Sequence, residues 1–111
     1  MFASRLPSAT IAVVLLGLGS GALAQDRGDV FRGRAFAENT CATCHAVAPG
    51  EKYSPIVGVA GLEEIANTPG MTALALSVWF KSPHPNMPNF MLDPNDLDNV
   101  IAYIMSLKTK R

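Results

Sequence analysis

Cys41-Ala42-Thr43-Cys44-His45 is the most telling stretch of this 111-residue chain. Two cysteines three positions apart lie on the same side of one helical turn, and a histidine follows at once. Four chemistries use such a group. A disulfide within CxxC closes a very small loop and adds little stability. A thioredoxin-like redox pair sits between a strand and a helix, and nothing before Cys41 reads as a strand. A zinc site needs a fourth ligand, and the chain has no second CxxC to offer one. CxxCH is also the attachment pattern of a c-type haem, in which the thiols bond the two porphyrin vinyl groups and the adjacent imidazole reaches the iron. Haem attachment uses all three side chains together.

Outward from the motif, the pattern is helical on both sides. Asp29 suits an N-cap, because its carboxylate can accept from backbone amides that lack partners in a first turn, and it predicts a helix running to about Asn39 and straight into Cys41. Between Ala46 and Gly70 the residues Pro49, Gly50, Pro55, Gly58, Gly61, Pro69 and Gly70 interrupt regular structure. That density predicts a wrapping loop with one helical turn near Leu62 to Asn67. Thr72 to Lys81 is rich in Ala and Leu, places Leu76, Trp79 and Phe80 where they can share a face, and stops before Ser82-Pro83. Asp93-Pro94-Asn95-Asp96 supplies a cap, a first-turn proline and an acid at the helix's positive end. The helix it opens runs to about Lys108, with Leu97, Val100, Ile101, Ile104 and Leu107 along one side. No convincing strand, repeat or low-complexity tract is present, so the class is all-α.

The first residues differ in character from the rest. Met1 to Ala24 has Arg5, an apolar stretch from Ala9 to Leu18 and the small-x-small pattern Ala22-Leu23-Ala24, which together read as a secretory signal peptide cleaved before Gln25. The apolar run is shorter than the ~20 residues of a spanning helix and is broken by Gly17, Gly19 and Gly21. No cysteine stands at the cleavage point for lipid attachment and no arginine pair precedes the apolar run. The expected organisation is therefore a cleaved segment, 1–24, and one domain, 25–111. Charge is balanced over the full chain, with nine basic and nine acidic residues. That balance argues against nucleic acid as a partner. A domain of this size buries only about 60% of its unfolded surface and commonly needs a cofactor to complete its core.

With these features on the page, the chain from Gln25 onward resembles the class I c-type cytochromes, the small soluble monohaem proteins, over nearly its whole length. Besides CATCH, Gly33 and Phe36 stand where that family's first helix has a glycine and an aromatic, and Val100-Ile101-Ala102-Tyr103-Ile104 resembles its last helix. Phe36 lies one place earlier than in the best-known members. The resemblance implies three main helices with short turns wrapped around one covalent haem c, with Gly33 letting Val100 and Tyr103 approach. It also implies that a proline carbonyl orients the ligating imidazole. Pro55, in Tyr53-Ser54-Pro55, follows His45 at a similar distance, although Ser54 replaces the usual glycine.

The second iron ligand is expected to be Met87, in Pro85-Asn86-Met87-Pro88. Its loop is stiffened by Pro83, Pro85 and Pro88, which hold the sulfur at reduced entropic cost, and the Met-Pro pair matches the family. Met91 competes as a sulfur ligand but suits core packing, and His84 competes as an imidazole. Trp79 and Tyr53 suit either hydrogen bonds to haem propionates or core packing. With His45 and Met87 both bound to iron no open position remains, so the expected function is single-electron transfer in the periplasm by a monomer. Its redox partners would dock transiently on an apolar patch near Lys52 and Lys81. The alternatives are a haem subunit of a periplasmic dehydrogenase or oxidase, and a haem enzyme acting on peroxide or nitric oxide.

Overall fold

The computed structural model describes residues 28–82, 87 and 92–110. The expected signal peptide, His84 and Met91 lie outside them. Among the described residues the elements are helical: α1 (Val30–Thr40), α2 (Leu62–Asn67), α3 (Ala73–Lys81) and α4 (Pro94–Ser106). No helix among them is long and apolar enough to cross a membrane.

The two expected caps, Asp29 and Asp93, are present, Thr72 caps α3 as well, and α2 starts after Gly61 with no side-chain cap. The Asp29 carboxylate accepts from Arg32 N–H at 3.0 Å, Thr72 Oγ1 accepts from Ala75 N–H at 3.1 Å, and Asp93 Oδ1 accepts from Asn95 N–H at 2.8 Å. Such caps satisfy amides that the helix itself leaves unpaired. α4 ends at Ser106, two residues before the expected stop, because Leu107 N–H turns back to Ile104 in a tighter last turn.

The core is where α1 crosses α4, the most extensive contact in the molecule, and α2 and α3 pack on α4 from other sides. The crossing is close because glycine is placed at it. A Cβ on Gly33 would sit 1.9 Å from the Asn99 carbonyl oxygen and 2.8 Å from Tyr103 Cβ. The resemblance implied Val100 as one neighbour here; the nearest backbone is that of Asn99, one residue earlier. Gly28 makes a second contact of this kind, 1.9 Å from the Asp98 carbonyl oxygen to a built Cβ. Asp29 N–H also donates to Asn99 Oδ1 at 2.8 Å, which ties the start of α1 to the same turn of α4.

α4 buries Val100, Ile101, Ala102, Tyr103 and Ile104 in succession, since helices pack on more than one of its sides. Leu62, Ala66, Met71 and Leu76 complete the core, with Phe36 and Phe80 packed at its margin. The expected apolar face of α3 is only partly realised. Leu76 is buried, whereas Trp79 is 54% exposed and Leu74 and Val78 also face outward. Periodicity places side chains around a helix but does not say which arc meets a neighbour.

Candidate haem attachment site

α1 delivers the motif. Its hydrogen bonding continues past Thr40, with Cys41 N–H to Ala37 O at 2.8 Å, Cys44 N–H to Cys41 O at 3.1 Å and His45 N–H to Cys41 O at 2.9 Å. Cys41 and Cys44 therefore occupy one turn, as the spacing predicts. Both are half-buried and are not joined to each other. Burial, with a smaller contribution from the neighbouring Cys44, pushes the Cys41 thiol above its ordinary value of 9.0, so it is protonated at neutral pH. Among the described residues no three His, Cys, Asp or Glu side chains gather as a metal-holding group. The thiols and the imidazole are arranged apart rather than converging on a point.

His45 is half-buried, and its Nδ1 lies 2.6 Å from the carbonyl oxygen of Ala60. A carbonyl only accepts, so Nδ1 carries a proton, and in the neutral ring the lone pair is then on Nε2. That tautomer is the one a metal-ligating histidine needs, with its second nitrogen oriented and made more basic by the acceptor. The acceptor expected from the resemblance was Pro55, and this is corrected: the carbonyl is Ala60's. Pro55 is exposed. Ser54 just before it is held against Ala46, through Ala46 N–H to Ser54 Oγ at 2.9 Å. A turn then reverses the chain, with Val59 N–H to Ile56 O at 3.2 Å and Gly58 at a φ of 83°. The returning strand of loop brings Ala60 to the imidazole.

Several apolar side chains lie outside the core, where a large planar group can meet them. Between His45 and Ala60 the chain carries Ile56 and Val57 at 47% and 99% exposure, and α3 turns Leu74, Val78 and Trp79 away from the core. These side chains offer apolar surface of the kind the faces of a porphyrin cover. Tyr53, at 85% exposure, and Trp79 are not core aromatics, so that reading of them does not hold. Met87 is half-buried, between the end of α3 and Leu92, which packs against the core. Glu51 and Ala60 were not singled out in the sequence, and Ser54 was noted only as a departure from the family's glycine; the two polar residues resemble ordinary loop residues, and Ala60 contributes only its backbone.

Two thiols on one turn, an imidazole oriented through its Nδ1–H and a helical scaffold among the described residues define a c-type haem protein. Comparison with known proteins places it further. The family described as Cytochrome c matches residues 30–108. A cytochrome c-552 of Bradyrhizobium diazoefficiens is 35% identical over 89 residues, covering 80% of this chain and 82% of that protein. No solved structure matches. The chain belongs to the cytochrome c family. Its cofactor is haem c, for which Cys41 and Cys44 fit the attachment motif, and membership supports haem-based electron transfer as its activity.

Proposed function

We propose that this protein is an exported electron carrier of the periplasm, in which His45 and Met87 are the two iron ligands. Haem, when bound, supplies a one-electron couple at iron. The observation that carries the ligation is the His45 Nδ1 to Ala60 carbonyl contact, which leaves Nε2 as the free donor. Met87, a half-buried residue in the segment after α3, is the second ligand in this proposal, and a His/Met pair raises the reduction potential. With both axial positions filled, the chain's own residues have no small molecule to activate. They fix the ligands, exclude water and keep rearrangement small when the electron passes.

The oxidised protein should show the weak red-end absorption band of sulfur-iron bonding, lost in Met87→Ala and kept in Met91→Ala. The reverse pattern would move the ligand to Met91. The reduced protein should ignore added carbon monoxide, and ready binding would favour a small-ligand enzyme instead. Residues 1–24 act as the export signal in this proposal, so the protein recovered from the periplasm begins at Gln25. It works as a monomer and meets its redox partners transiently. The exposed Lys81, beside the outward apolar residues of α3, contributes to that contact; Lys81→Glu should change the rate of electron exchange and its salt dependence.

A further inference from the structure

The three residues after the histidine have every backbone polar group bonded. Ala46 N–H donates to Ser54 Oγ at 2.9 Å, and the Ala46 carbonyl accepts from Leu62 N–H at 2.8 Å. Val47 and Ala48 N–H donate to the same Glu51 carboxylate oxygen at 2.9 and 3.0 Å. The Val47 carbonyl accepts from the Tyr103 hydroxyl at 2.5 Å, and the Ala48 carbonyl accepts from Glu51 N–H at 3.2 Å. Two of these partners are side chains of the loop itself, Ser54 and Glu51, and both act on the chain immediately following His45. They also close the loop from opposite ends of the same short span. Glu51 folds the chain back on Val47 and Ala48, and Ser54 then returns it to Ala46 just before the turn that sends Ala60 to the imidazole.

We propose that Ser54 and Glu51 are positioning residues for the iron-ligand imidazole: by pinning Ala46 to Ala48 they direct the His45 Nδ1–H to the Ala60 carbonyl and not to that of Pro55. This rests on the reading of His45 as an iron ligand. Neither side chain touches the ring. Both act through the backbone, and the acceptor they select sets ring orientation and ligand basicity.

The test uses the haem-loaded protein, reduced, with ¹⁵N-labelled histidine; the chain has two histidines, which keeps the spectrum simple. In the wild type the His45 Nδ1–H should exchange slowly with water. Loss of the one hydrogen bond that Ser54 accepts, or of the two that Glu51 accepts, should raise that exchange about fivefold or more in Ser54→Ala and in Glu51→Ala. The reduction potential should rise as the imidazole becomes less basic. Ser54→Thr and Glu51→Gln keep an acceptor and should restore both values. Asp29→Ala removes a cap at the far end of α1, so it lowers stability without acting on the ring. Should Ser54→Ala fail to fold, Glu51→Ala and its glutamine rescue decide the matter alone. Exchange and potential no different from those of Asp29→Ala would overturn the proposal while leaving ligation intact. A wild-type spectrum in which the His45 ring is free of iron would overturn the ligation itself, and this proposal with it.

Discussion

Cys41 and Cys44 carry the cofactor, and their substitution has a plain outcome. In Cys41→Ser combined with Cys44→Ser no thioether can form, so acid-acetone should extract any haem and a denaturing gel stained for haem should be blank. Two protons in the neighbourhood give a pH signature. The Cys41 thiol is raised above its ordinary value of 9.0, by burial first and Cys44 second. The Tyr103 phenol is raised above 10.0, chiefly by burial at 2% exposure, although Arg34 opposes this. For both groups the folded state holds the proton more tightly than the unfolded state. Their contribution to stability is therefore complete below the unfolded value and is lost as the pH climbs through the higher folded value. The apoprotein should lose stability from roughly pH 9 upward, measured as a falling urea midpoint. The Cys41 share of that loss should vanish in the haem-loaded protein, whose thioether has no proton, while the Tyr103 share persists. Tyr103→Phe should remove the remaining alkaline share and cost about 1–3 kcal/mol at neutral pH, because the buried Val47 carbonyl loses its donor.

Helices act here through one crossing. Gly33→Ala would drive a methyl group into the Asn99 carbonyl, which is backbone and cannot swing aside. α1 and α4 must separate, and the expected loss is about 3 kcal/mol or more in chemical denaturation, at or above the upper end of ordinary overpacking. Asp29→Ala removes a cap from the same helix and should cost only about 1 kcal/mol. Comparable losses from the two variants would mean that the crossing is looser than described. The glycine was legible in the sequence through its place before CxxCH, and two of the caps through Asp29 and Asp93, since these signals act within a few residues. Gly28 was not legible. Nothing within its own segment shows that Asp98 will come to rest against it.

For the molecule as a whole, the helical core is small and lies mainly along α4, while apolar side chains on α3 and on the loop after His45 remain outside it. Haem attachment should cover part of that surface. The chain has one tryptophan, Trp79, at 54% exposure. Its fluorescence should be strongly quenched in the haem-loaded protein by energy transfer to the porphyrin and recover in the double cysteine variant, which should also bind a hydrophobic dye. Equal Trp79 emission with and without haem would place α3 away from the cofactor. Removal of haem should also lower the urea midpoint, because a chain of this size has little apolar burial to lose.

The amino-acid sequence by itself determined the helices, the caps at Asp29 and Asp93 and the single attachment motif. Each depends on spacing over a few residues or on composition, and these are properties of the chain before it folds. Only the tertiary structure decided that Ala60 and not Pro55 receives the His45 proton, that Trp79 faces outward and that Glu51 and Ser54 grip the segment behind the histidine. Those outcomes depend on the path of the loop between Ala46 and Gly61. That path carries a turn at Gly58 and side-chain hydrogen bonds between residues several positions apart, which no short stretch of sequence displays.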